Sequence, residues 1–181
     1  GQSGTVTLNG AGDQIVGGSA ATTFNNLTLS GSGAKTLTGA TINGILSIEG
    51  TATATVTGTL TYGAAATLQY KGSAAQTTGN EFTTPWVATG GVIINNANGV
   101  LLGAASTVNT TLTLTAGTFT ITPGLTMATG ATISRANGSL SATPTFAGTV
   151  NVTYTGATSG VTTGPELPTS PGNVLNNLTI N

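Results

Sequence analysis

An apolar–x–apolar triplet recurs along this chain about every 21 residues, and few folds accept that period. The triplets are Val6-x-Leu8, Leu27-x-Leu29, Leu46-x-Ile48, Leu68-x-Tyr70, Val92-x-Ile94, Leu112-x-Leu114, Val152-x-Tyr154 and Leu178-x-Ile180. Ile133-x-Arg135 is a further member whose last residue breaks the pattern. The intervals between starts are unequal but stay near this period, and the two longest run from Leu68 to Val92 and from Val152 to Leu178. Self-similarity at this spacing marks an array of stacked units. In a strand, alternation turns the outer residues of each triplet inward and the middle residue outward. The middle residues are Thr7, Thr28, Ser47, Gln69, Ile93, Thr113, Ser134, Thr153 and Thr179. Nearly all are Thr or Ser, the polar face that such alternation requires.

Two further columns follow the first. One falls about half a coil later, at Val16, Leu37, Val56, Thr78, Leu101, Ile121, Leu140 and Thr162. The other reads Ile42, Leu60, Phe82, Val108, Met127, Phe146 and Leu167. Three short strands per turn of about 21 residues predict an all-β chain, a parallel β-helix (β-solenoid) of about eight or nine coils. Right-handed winding is the default for parallel crossovers. At ~4.8 Å per coil the segment spans roughly 40 Å. A lone coil cannot bury enough apolar surface to offset its ordering, so stability comes from contacts between neighbours.

Longer copies overlie the coils. Val6-Thr-Leu-Asn-Gly10, Leu68-Gln-Tyr-Lys-Gly72 and Val152-Thr-Tyr-Thr-Gly156 open three of them. With one triplet per coil, the intervals between these openings hold three and four coils. The modules span 5–67, 68–151 and an incomplete 152–181. A further coil is expected after the last, so the segment reads as an excerpt of a longer array.

Composition narrows the function classes. Three basic and four acidic residues leave a net charge of −1, with no electrostatic footprint for nucleic acid or an anionic membrane. No apolar run is long enough to span a bilayer as a helix. About forty Thr residues, rather than charges, wet the surface. Histidine and cysteine are absent, which removes Ser–His and Cys–His nucleophile pairs and the usual zinc sets. No cofactor is expected. Gly31-Ser-Gly-Ala-Lys-Thr36 has Ala34 where a phosphate loop needs glycine, and reads as a polar corner.

The few charged and aromatic residues are the remaining candidates. Glu81 and Glu166 align in the second and third copies and are the best enzyme-like pair. Four coils, or roughly 19 Å, separate them, too far for two carboxyls that share one glycosidic bond. They are therefore expected to be exposed polar residues beside the third strand. Glu49 and Lys71 occupy one column on adjacent coils, and Asp13 and Lys35 lie close to one coil apart, so both are expected to form ion pairs. Arg135 has no account. Trp86, in Thr83-Thr-Pro-Trp-Val-Ala-Thr-Gly-Gly91, either stacks on a sugar or partner chain or plugs the side of the rod. The sequons at Asn26, Asn109, Asn137 and Asn177 are what an Asn/Thr-rich chain produces by chance.

Gly4-Thr-Val-Thr-Leu-Asn-Gly-Ala-Gly12, Phe24-Asn-Asn-Leu-Thr-Leu and Leu175-Asn-Asn-Leu-Thr-Ile-Asn181 resemble repeats of very large bacterial surface proteins, the β-strand-repeat and filamentous-haemagglutinin-like adhesins. The resemblance implies export to the cell surface, a long stalk, and adhesion or fibre formation, with no catalytic residues. The expected function is a non-catalytic rod. Its expected partners are further coils of the same chain, identical subunits end to end, or cell-surface glycans. The alternative is an ice- or carbohydrate-binding solenoid using Thr-rich faces or the Trp86 loop. Interruptions at Ile45, Glu49, Gln69, Lys71 and Ile93 argue against a regular ice-binding array.

Overall fold

A computed structural model describes residues 4–18, 20–156, 160–169 and 174–181. The described elements are all strands. In chain order they begin β1 (Thr5–Leu8), β2 (Gln14–Val16), β3 (Thr22–Phe24), β4 (Asn26–Leu29), β5 (Ala34–Ile42), β6 (Ile45–Gly50) and β7 (Thr53–Tyr62). There follow β8 (Thr67–Gly72), β9 (Gln76–Thr77), β10 (Gly91–Asn95), β11 (Val100–Leu101), β12 (Ser106–Val108), β13 (Thr111–Ala116) and β14 (Thr118–Thr120). The last are β15 (Leu125–Met127), β16 (Thr132–Arg135), β17 (Ser139–Leu140), β18 (Thr145–Phe146), β19 (Val150–Tyr154) and β20 (Leu175–Ile180).

One face is a nine-stranded sheet, β1-β4-β6-β8-β10-β13-β16-β19-β20, and every pairing in it is parallel. All nine triplets fall in one register, from Val6↔Leu27 and Leu27↔Leu46 to Ile133↔Val152 and Val152↔Leu178. Leu27, Leu29, Leu46, Leu68, Val92, Ile94, Leu112, Leu114 and Ile133 are buried along it. The chain is thus a β-solenoid of about eight turns of ~21 residues. Parallel strands need long crossovers, and here the strands of the other faces supply them.

Those other faces differ between the two halves. From β9 onward there are two separate ladders, β17-β14-β11-β9 and β12-β15-β18, giving the expected three strands per coil. In the earlier coils β5 and β7 instead run through the corner as single strands. Their register shifts between Leu37 and Gly39, a bulge that bends the ladder without ending it. A side chain at Gly58 would collide with the carbonyl of Thr38 directly beneath, so the bend depends on glycine.

Four column assignments shift: Tyr62 rather than Leu60 lies opposite Ile42, Leu140 lies opposite Phe119 rather than Ile121, and the other two fall at Leu101 and Phe82. Leu101 points outward and is 41% exposed, while Val100 and Leu102 are buried. The register pairs Leu101 with Thr77 and Thr120, so the inward positions are one residue to either side. In the third column Trp86, rather than Phe82, bridges to Val108. Residues 80–85 are taken up ahead of it.

The corner after the first face repeats a glycine. At Gly31 and Gly50 φ is +75° and +62°, and an added Cβ would lie 2.5 Å and 2.6 Å from a carbonyl of the coil below. Only glycine takes that backbone region at so close an approach.

Buried polar groups line the next corner. Gln76 Oε1 accepts the Gly72 N–H (2.9 Å) and its Nε2 donates to Ile48 O (3.0 Å). Asn96 Nδ2 donates to Ala74 O and to Gln76 Oε1, at 2.8 and 2.9 Å. Three successive coils are joined this way. Gln14 repeats the first contact by accepting the Gly10 N–H at 2.9 Å.

Lys35 sits beside Gln14 in register and is 0% exposed. The expected Asp13–Lys35 ion pair does not form. Lys35 Nζ donates to the carbonyls of Gly10 (2.9 Å), Gly12 (2.7 Å) and Ser32 (2.6 Å), and Asp13 Oδ1 accepts the Ala34 N–H at 2.8 Å. Alternation turns Lys35 inward, where convergent corner carbonyls satisfy all three ammonium protons. Lys35→Met should therefore cost on the order of 3 kcal/mol in urea unfolding, since bonds to a charged donor are the stronger ones. A loss under about 0.5 kcal/mol would mean that water replaces the ammonium at no cost. The Glu49–Lys71 pair does form, at 3.8 Å, with Glu49 and Lys71 directly opposed in register. Its side chains are 28% and 53% exposed, so it contributes about 0–1 kcal/mol.

Candidate functional site

The two longest coil intervals, Leu68 to Val92 and Val152 to Leu178, each fold a glutamate into the interior. Glu81 is 1% exposed and Glu166 is 0% exposed, which corrects the expectation of solvated residues. Both are placed the same way. Tyr70 and Tyr154 end the inward triplets of β8 and β19, so their hydroxyls reach across the core. Tyr70 donates to Glu81 Oε1 at 2.8 Å, and Tyr154 donates to Glu166 Oε1 at 2.8 Å. The amide two residues upstream closes each loop: Gly79 N–H at 2.8 Å and Gly164 N–H at 2.9 Å, both to Oε1. In each carboxyl Oε2 is buried with no hydrogen-bond partner.

The two sites diverge at one register position. β16 places Arg135 inward beside Tyr154, whereas β6 places Ile48 beside Tyr70. Arg135 Nη1 lies 2.6 Å from Glu166 Oε1 and also donates to Thr162 O at 3.1 Å, while Nε donates to Gly138 O at 2.8 Å. This accounts for the arginine that the triplet pattern left unexplained.

The electrostatic consequences are opposite. Burial pushes the Glu81 carboxyl above its usual value of 4.5, and the Gly79 N–H and Tyr70 hydroxyl offset this only in part. Burial also acts on Glu166. There the Arg135 guanidinium, together with backbone N–H groups and the Tyr154 hydroxyl, outweighs it and holds the carboxyl below 4.5. The Tyr62 and Tyr70 hydroxyls are raised well above 10, first by burial and then by the neighbouring Glu81.

Linkage turns these directions into a test. For Glu81 the folded value is raised, so its contribution is fully present below pH 4.5 and is lost as pH rises through the folded value. For Glu166 the folded value is lowered, so its contribution is present above pH 4.5 and is lost as pH falls through the folded value. Acidification from about pH 7 to about pH 3 should strengthen protection around β8–β9 and weaken it around β16–β19. Hydrogen exchange resolved by segment measures both. Glu81→Gln and Glu166→Gln should each flatten only their own response; a response of one sign in both segments would contradict the assignment.

Trp86 lies in the coil of Glu81. It is 1% exposed, its ring centroid is 4.6 Å from that of Tyr62 and 6.3 Å from that of Phe82, and Nε1 donates to Ala88 O at 3.0 Å. Of the two alternatives for Trp86, this burial fits the plug. The Tyr62 hydroxyl in turn donates to Glu81 O at 2.7 Å, joining the plug to the carboxyl loop.

A cleft of about 190 Å³ opens beside Glu81. It follows the seam between β7 and β9, which belong to different sheets and do not pair. Ala52, Thr53 and Ala54 line one wall and Gln76 and Thr77 the other, with Ile48, Tyr70 and Glu81 also contributing. The small side chains of Ala52 and Ala54 leave the space. Each glutamate is enclosed by its own tyrosine and glycine, so the two form no shared carboxylate pair. No group of three or more His, Cys, Asp or Glu fit to hold a metal ion occurs among the described residues. A scan against protein-family models and searches of curated proteins and of solved structures return no match for this chain.

Proposed function

We propose that this chain is a non-catalytic structural rod, part of an extracellular bacterial surface protein that serves as an adhesin stalk or fibre. The observation that carries this reading is the single row of nine in-register triplets, along which one buried apolar core runs from Phe24 to Val150. The outward rows are mostly uncharged Thr and Ser, which lets such rods lie side by side without self-repulsion. The likeness to β-strand-repeat and filamentous-haemagglutinin-like repeats supports the same reading. On it, the partners are further coils of the same chain or identical subunits, and no nucleic acid or inserted membrane segment is involved.

Electron microscopy of the native material, with mass determination of the denatured chain, tests it. Slender rods with an axial repeat of ~4.8 Å are the expected result. Filaments made of chains near this length mean a self-stacking subunit, and one very long chain means a stalk. Compact particles without an axial repeat, or an intracellular location, would overturn the proposal.

A further inference from the structure

The two glutamate sites differ by a cation, and the cleft lies where that difference falls. Around Glu166, Oε1 accepts from Tyr154, Gly164 and Arg135. Around Glu81, Oε1 accepts from Tyr70 and Gly79 alone, the first two of the same three donors. The residues that hold the guanidinium have counterparts, by strand register or by equal offset from the arginine or the glutamate. Arg135, Gly138, Tyr154, Thr162 and Glu166 correspond to Ile48, Thr51, Tyr70, Thr77 and Glu81. All five counterparts line the 190 Å³ cleft.

Local geometry agrees. A Cβ placed on Gly164 would lie 2.8 Å from both Glu166 Oε2 and Arg135 Nη1. One placed on Gly79 would likewise lie 2.8 Å from Glu81 Oε2, but the next atoms are the carboxyl carbon at 3.7 Å and Ala54 O at 3.8 Å. The space beside Gly79 is thus bounded by a backbone carbonyl where its counterpart meets a guanidinium. The cleft holds the volume of roughly six waters, which is ample for a planar cation. Its lining includes Glu81, whose Oε2 lacks a partner just as that of Glu166 does with its arginine in place.

We propose that the cleft beside Glu81 binds a guanidinium-class cation, which hydrogen-bonds to Glu81 Oε1 as Arg135 does to Glu166 Oε1. A planar fork of N–H donors suits a carboxylate with a backbone carbonyl beside it better than the point charge of an ammonium ion does. The cation is either a free guanidino compound or an arginine side chain from another chain, since the chemistry of contact is the same. Binding needs the ionised carboxyl, so affinity rises with pH. The phenols of Tyr62 and Tyr70 are the other titratable groups in contact with Glu81, and both stay neutral over the working range.

The test follows the Gly79 amide resonance of the intact chain during titration. Methylguanidinium represents a free compound, and N-acetyl-arginine amide represents a side chain. Saturable shifts with a Kd on the order of millimolar are expected for at least one probe. Saturation by methylguanidinium alone identifies the free compound as the source, and saturation by the arginine derivative identifies a side chain. n-Propylammonium should bind more weakly. Glu81→Gln keeps the shape of the carboxyl and should weaken binding about tenfold or more. Ile48→Arg should supply the guanidinium from within, abolish saturation, and move the Gly79 resonance toward that of Gly164. Shifts that never saturate, or that are equal in Glu81→Gln, would overturn the proposal, as would undiminished binding by a folded Ile48→Arg. Should Ile48→Arg not fold, the Glu81→Gln comparison decides alone.

Discussion

Arg135→Ile should lower the unfolding free energy by about 3–5 kcal/mol near neutral pH and regain most of that loss on acidification. The substitution gives the last coils the residue that β6 carries at the same register, Ile48. It takes the cation from Glu166, which is 0% exposed in the parent chain. An unpaired buried carboxylate is costly, and the group escapes by taking up a proton. Its folded value, held below 4.5 by Arg135, should then rise above it, as that of Glu81 does. With a raised folded value, stability is retained below 4.5 and lost as pH rises, the reverse of the parent chain. Urea unfolding at about pH 7 and about pH 4 measures this. A loss of equal size at both pH values would mean that Arg135 acts through packing. A loss under about 1 kcal/mol would mean that water reaches the carboxyl as readily as the guanidinium does.

Trp86→Ala should cost about 3–5 kcal/mol, the range for emptying a large aromatic from a packed interior. The ring fills the third column between Tyr62 and Val108. Tyr62 also holds the Glu81 loop through its hydroxyl, so the damage reaches the carboxyl. In a solenoid each coil touches only its neighbours, which confines the effect. Hydrogen exchange should show lost protection from β7 to β12, with β16 to β19 close to the parent. Uniform loss along the chain would show that the rod unfolds as one unit; no loss would show that Trp86 merely covers a surface. Trp86→Phe should retain more of the stability than Trp86→Ala, because it keeps an aromatic ring against Tyr62 and gives up the bond to Ala88 O and part of the ring's volume.

How far such a chain can be read in advance depends on strand length. The first face was legible because its strands run mostly four to six residues, enough for alternation to show which side is buried. All nine triplets, including the aberrant Ile133-x-Arg135, keep that register. The second face failed by one residue at Leu101 and by two between Ile121 and Leu140. Strands of two residues, such as β9, β11 and β17, carry no alternation, so inward and outward cannot be told apart. The Phe82–Trp86 exchange arose likewise, since nothing local says how many residues an insertion takes before the strand resumes.

The placement of the charged residues is hidden in the sequence for a different reason. Glu81, Glu166, Lys35 and Arg135 were expected at the surface or left without a role, because a charge is rarely buried unless paired. The partners that allow burial are invisible to a residue-by-residue reading. They are backbone carbonyls at Gly10, Gly12, Ser32, Gly138 and Thr162, and hydroxyls on a neighbouring strand. One signal was available: Tyr70 and Tyr154 end inward triplets, and a phenol directed into a core needs an acceptor. The acceptors are the next glutamates downstream, Glu81 and Glu166.

Sequence alone determined the period, the parallel stacking and the main apolar column, because these follow from side-chain alternation and are repeated nine times. Tertiary structure decided which charges are buried, where the ladder is interrupted and how the Glu81 cleft differs from its counterpart. Those outcomes depend on acceptors and volumes contributed by neighbouring coils, and the two-residue alternation within a strand does not encode them.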